Sequence, residues 1–225
     1  MTNGAEATRR PLKTREHAVS QRLAHAVART GLSPNAISSV GLVSGIAAGI
    51  FFAATASLPG WERWLWFGGA LLVQLRLLAN MLDGMVALES RAASPLGELF
   101  NEIPDRISDA CTLIGLGYAA ASIPALGYAA AVAALFTAYV RAFGASLGQG
   151  QDFCGPFAKP QRMFFATLVG LYGALAPANW MTAEIAGRSL SIVTMILALV
   201  FAGTIVTALR RILRLSKGIK NRNPR

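Results

Sequence analysis

Six stretches of the chain are apolar enough, and close enough to the roughly 20 residues a bilayer requires, to read as membrane spans: 36–58, 64–88, 97–121, 123–147, 161–179 and 189–212. Only short polar connections separate them, so the pattern predicts one all-α integral membrane domain over 36–213. Ahead of it, "LKTREHAVSQRLAHAVARTGLSPN" sets Ala18, Leu23, Val27 and Leu32 among basic residues, and Gly31 and Pro34 break the chain. Residues 1–35 therefore read as a basic segment with an amphipathic helix lying at anionic headgroups. Residues 214–225 read as a basic tail. No signal-peptide pattern is present, because the first apolar run lacks a small-residue cleavage site after it.

Composition supports this reading. At 225 residues, 54% hydrophobic and only 14% charged, the chain has too little polar surface for a soluble globule of its size. The net charge of +10 does not indicate a nucleic-acid partner, since the bases gather at the termini and in short connections. An even number of spans puts both basic termini on one side, the cytoplasm. The outward loops then carry only Arg63 and Arg188, while the inward ones carry Arg91, Lys159 and Arg162. Trp61, Trp64, Trp66 and Trp180 fall at outer span ends, where amphipathic rings favour the interface. Cys111 and Cys154 have no metal or disulfide spacing, and His17 and His25 have no partner at ligand spacing.

Gly41, Gly45 and Gly49 form GxxxGxxxG on the first span, a pattern that permits close helix approach. It leaves open whether the partner helix belongs to the same chain.

Acids inside spans are costly, so they face protein or water and mark candidate sites. Here they cluster at one cytoplasmic connection. At about 100° per residue, Asn80, Asp83, Gly84 and Ala87 share a face of the second helix. On the third, Glu98, Glu102, Asp105 and Asp109 lie within about 60° of one another, with Asn101 alongside. Oxygen donors without His or thiolate suit a hard cation, Mg2+ or Mn2+, and such a cation would clamp phosphate. The structural alternative is that the acids pair with the intramembrane bases Arg76, Arg106 and Arg141.

From Asn80 to Asp105 the spacing resembles the signature of the CDP-alcohol phosphotransferase family, D-x2-D-G-x2-A-R-x8-G-x3-D-x3-D. The stretch "NMLDGMVAL" is followed by eight residues and then "GELFNEIPD". "LSPNAIS" and "CGPFAKPQRM" also look like family segments, so the resemblance covers most of the membrane domain. It implies a six-helix fold, a homodimer, a bacterial inner-membrane location and a site at the cytoplasmic face. Asp83 and Asp105 match the second and fourth aspartates, with Asp105 implied as the base. Asn80 and Asn101 stand where the first and third aspartates belong, and Leu88 replaces the arginine. One or two ions held by Asn80, Asp83, Asn101 and Asp105 are implied, with Gly84, Ala87 and Gly97 beside the cytidine diphosphate group. Lys159 and Arg162 are the expected phosphate contacts of the acceptor. Glu102 and Asp109 are expected to restore some charge, and Arg91 to replace the missing cation.

The implied reaction moves the phosphatidyl group of a CDP-lipid, such as CDP-diacylglycerol, to an unidentified alcohol with release of CMP. The alternatives are a catalytically impaired member that binds CDP-lipid or metal without turnover, and an ion-coupled transporter using the acids as a relay.

Overall fold

The computed structural model describes residues 18–89, 95–185 and 187–222. The side chains of Leu88, Gly97 and Glu98, and the whole of His17 and Arg91, lie outside the described set. Helices form over every predicted apolar stretch: α1 Ala18–Arg29, α2 Pro34–Ala54, α3 Glu62–Glu89, α4 Pro95–Gly117, α5 Pro124–Ser146, α6 Lys159–Leu175 and α7 Ile192–Arg222. Their starts follow from local chemistry. Gly31, at φ +77, ends α1, and the Ser33 hydroxyl then accepts a 3.2 Å bond from the Ala36 amide to cap α2. Prolines occupy the first turns of α2, α5 and α6, where the missing N–H costs nothing.

Among the described residues four helices, α2, α3, α5 and α7, are long and apolar enough to cross a membrane. The other two predicted spans differ for separate reasons. α4 carries Glu98, Glu102, Asp105, Arg106 and Asp109 in its first part, and α6 is only 17 residues long. The chain is an integral membrane protein.

The glycine pattern of α2 is answered within the chain. A Cβ on Gly41 would stand 3.2 Å from the Ala79 Cβ of α3, while on Gly45 and Gly49 it would collide with Ser108 and the Cys111 carbonyl of α4. α2 thus presses on α3 with one edge and on α4 with another, bringing the polar ends of those helices together. Below that end lies a core of Phe52, Val73, Leu113, Leu116 and Met163, joined from α7 by Val193, Leu197 and Val200. Val40, Val43, Val132, Phe164 and Leu209 face outward, as a lipid-exposed surface requires.

Three local features differ from the sequence reading. Trp66 is buried in the core rather than at the interface, its ring 5.6 Å from that of Phe52 and against Gly173. Trp61, Trp64 and Trp180 are exposed. The predicted outer loop near 180–188 forms an antiparallel hairpin, β1 Thr182–Ile185 with β2 Arg188–Ser191, turned at Gly187 with φ +72. Finally, α7 continues to Arg222 without a break at 213, because Leu215 packs on Gly144 and Gly218 on Gln149. On α1 the buried edge is Ala24, with Val27 and Ala28, against Ile37, Ala79, Leu82 and Val86. Leu23 and Leu32 stay exposed, since the small Ala24 lets α1 approach closely.

Candidate active site

The polar faces of α3 and α4 meet beside α2. Ser38, Arg76, Asn80, Asp83, Asn101 and Asp105 all line one small cavity of about 10 Å3. The Ser38 hydroxyl donates to Asp83 Oδ2 at 2.6 Å. Asn80 Nδ2 donates to Asn101 Oδ1 across the two helices at 3.0 Å. From the first turn of α6, Lys159 Nζ donates to Asn80 Oδ1 at 2.9 Å and to Asp105 Oδ2. Arg76 closes the floor, donating through Nη2 to the Asp105 carbonyl at 3.1 Å and through Nε to Ser108 Oγ at 2.9 Å. Pro104, inside α4 and also at the cavity, removes one ladder bond next to Asp105.

Two acids outside the cavity lining have other partners. Asp109, 2% exposed, is clasped by Arg76 on one oxygen and by Arg162 on the other at 3.2 Å. Arg162 is itself 1% exposed and also donates to the Phe157 carbonyl at 2.9 Å. Glu102 pairs with Arg141 and, at 3.3 Å, with Arg106. The structural alternative raised by the sequence thus describes Asp109 and Glu102 and, in part, Asp105, which lines the cavity with Asn80, Asp83 and Asn101 but also lies 3.4 Å from Arg76 and 3.7 Å from Arg106.

The donor set fits a hard divalent cation. Two carboxylates and two amide oxygens share the cavity, the oxygen-only chemistry that such a cation takes. Among the described residues no three His, Cys, Asp or Glu side chains gather as a metal site, which follows from Asn standing at positions 80 and 101.

No family model matches the chain. Archaetidylinositol phosphate synthase of Aeropyrum pernix is 38% identical over 96 residues, 43% of this chain and 49% of that protein. Phosphatidylinositol phosphate synthase of Mycolicibacterium smegmatis is 32% identical over 103 residues, 46% of this chain and 43% of that one. The chain spans about half the length of the curated relatives it matches. The solved phosphatidylinositol phosphate synthase of Mycobacterium tuberculosis with CDP-DAG bound superposes with a TM-score of 0.68 at 20% identity, over 88% of this chain and 94% of that one. Its complex with manganese and citrate gives a TM-score of 0.69 over 87% and 88%. The resemblance to the CDP-alcohol phosphotransferases holds in sequence and in fold.

Within this fold the four signature positions of the chain converge on one cavity. Gly84 and Ala87 are buried on α3 and do not line it. Lys159 reaches the centre, whereas Arg162 points into the protein. Sequence reasoning missed Ser38: "LSPNAIS" was legible as the start of a helix, but nothing in it foretold a bond to Asp83. A larger cavity of about 290 Å3 lies between α5, α7 and the loop before α6, with Arg141, Gln151, Asp152, Arg211 and Arg214 among its lining.

Proposed function

We propose that this protein transfers the substituted phosphate of a CDP-linked lipid, of the CDP-diacylglycerol class, to an alcohol and releases CMP. The observation that carries the proposal is the convergence of Asn80, Asp83, Asn101 and Asp105 on one cavity. Asp105 accepts the proton of the acceptor hydroxyl. The freed oxygen bonds to the lipid-bearing phosphorus, and the bridge from that phosphorus to CMP breaks, CMP leaving with the bridging oxygen. Asn80, Asp83, Asn101 and Asp105 are the residues that would hold Mg2+ or Mn2+, which when bound neutralises pyrophosphate charge. Ser38 fixes the Asp83 carboxylate, and Arg76 fixes the backbone at Asp105.

The 290 Å3 cavity sets three arginines against Asp152, a charge balance suited to a phosphorylated acceptor. Inositol phosphate is the class indicated by the relatives' names. Arg141, which pairs with Glu102 on α4 and with Gln151 at 2.7 Å, links that cavity to the catalytic one. Arg162 then serves by holding Asp109.

All six long helices cross the membrane in this reading, with α1 at the headgroups and both termini and the site at the cytoplasmic face. The exposed Trp61, Trp64 and Trp180 mark the opposite face. The assembly is a homodimer, as the family resemblance implies.

The test is to supply radiolabelled CDP-diacylglycerol with a panel of free and phosphorylated alcohols in detergent with Mg2+. CMP and a new lipid are expected with a phosphorylated acceptor. Nucleotide binding without CMP release across the panel would favour the second reading, a binding protein without turnover, to which the mutual bond of Asn80 and Asn101 lends support.

A further inference from the structure

We infer that Thr207, on α7, is a positioning residue for the acceptor side of the reaction: it fixes the loop between α5 and α6 whose residues wall the cavity of about 290 Å3. The inference rests on the proposed transfer to a phosphorylated acceptor. It goes beyond that reading in assigning the acceptor half of the site to a residue that lines neither cavity.

The loop is neither helix nor strand, yet it supplies Gln149, Gly150, Gln151 and Asp152 to the cavity wall. An irregular segment packed against helices must find partners for its backbone groups outside itself, and α7 provides them. The fully buried Thr207 hydroxyl accepts from the Phe157 amide at 3.0 Å and donates to the Gly203 carbonyl at 2.8 Å. Its hydrogen and a lone pair are therefore both in use. One turn further along α7, Arg211 Nε donates to the Cys154 carbonyl at 2.9 Å.

Shape repeats the register that these bonds set. Gly155 has φ +129, and a Cβ there would collide with Thr207 Cγ2. One turn earlier, a Cβ on Gly203 would enter the Phe157 ring, which also stacks on Phe165 at 5.4 Å. Gly155 thus rests on Thr207 and Phe157 on Gly203, which indexes the loop to two successive turns of α7. Just before this anchor, Asp152 Oδ1 accepts from the Cys154 amide at 2.8 Å, so the place of Asp152 in the cavity follows from the same register.

The donor half of the site is held in another way. The signature positions lie on α3 and α4, and α7 contributes no described residue to their cavity. The Phe157 carbonyl is held separately by Arg162 at 2.9 Å, so the start of α6 keeps an anchor when the Thr207 bond is lost. Disturbing Thr207 should weaken the acceptor and spare the CDP-lipid, a split that general loss of folding does not produce.

The test is steady-state CMP release in detergent with Mg2+, varying CDP-diacylglycerol and inositol phosphate in turn, beside calorimetric binding of inositol phosphate alone. Thr207→Val keeps the shape and removes the hydroxyl. It is expected to raise KM and Kd for inositol phosphate about tenfold, the scale of one buried amide left without its partner. The KM for CDP-diacylglycerol and kcat should stay within about twofold of wild type. Thr207→Ser, which keeps the hydroxyl, should give wild-type values. If Thr207→Val does not fold, Thr207→Ala carries the same expectation. Unchanged acceptor constants, equal losses for donor and acceptor, or failure of both variants to fold would overturn the inference. If the wild type binds inositol phosphate without releasing CMP, the proposed transfer fails and the binding arm alone decides the role of Thr207. No binding of inositol phosphate by the wild type overturns the inference, whether or not CMP is released with another alcohol.

Discussion

Asp105 and Asp109 sit one turn apart on the same face of α4, yet they live in different surroundings. Asp105 opens to the cavity and shares it with Asn80, Asp83 and Asn101, whereas Asp109 is sealed between Arg76 and Arg162. The same residue type at equivalent helical positions thus has two tasks, chemistry at the cavity and cohesion below it. Arg76 reaches both, so what separates them is the other neighbour across the interface: Lys159 at Asp105 and Arg162 at Asp109.

Three substitutions probe that contrast, from the largest effect to the smallest. Asp109→Ala leaves Arg162 a buried cation without a carboxylate and Arg76 with only its 3.4 Å contact to Asp105, so it should cost about 3–5 kcal/mol. Thermal unfolding in detergent checks this, and a melting temperature equal to wild type would deny Asp109 its cohesive role. Gly49→Ala drives a methyl group into the Cys111 carbonyl, an overpacking expected to cost about 1–3 kcal/mol. It should reduce stability and activity together, because α2 holds Ser38 beside Asp83. A variant as stable as wild type would mean that α2 and α4 are not in close contact. Glu102→Gln removes an ion pair whose acid side chain is 44% exposed, so stability should change by less than about 1 kcal/mol. A loss as large as that of Asp109→Ala would erase the distinction between the half-exposed Glu102 pair and the buried layer.

Much of this contrast was legible in the sequence as position but not as partnership. The apolar runs located five helices to within about four residues at each end, but α7 runs ten residues past its predicted limit at 212, and the spacing of Asn80, Asp83, Asn101 and Asp105 placed them on facing stripes. Periodicity assigns a residue to a face without naming what lies opposite. It grouped Asp109 with Asp105, offered Arg162 to the substrate and set Trp66 at the interface, because each of those placements depends on how helices distant in sequence pack. The Ser38 bond to Asp83 and the Lys159 bridge to Asn80 belong to the same class: both residues stand at helix starts and gain these partners only when α2 and α6 close around the cavity. The GxxxGxxxG pattern was read for close approach but needed the fold to supply its partners.

The most direct measurement is CMP release by Asp105→Asn beside wild type, in preparations matched by melting temperature. Losing a proton acceptor is expected to lower turnover about a hundredfold or more, with a smaller loss of stability than in Asp109→Ala, because the amide oxygen still accepts from Lys159 and Arg76. Turnover equal to wild type in the folded variant would contradict the assignment of chemistry to this cavity.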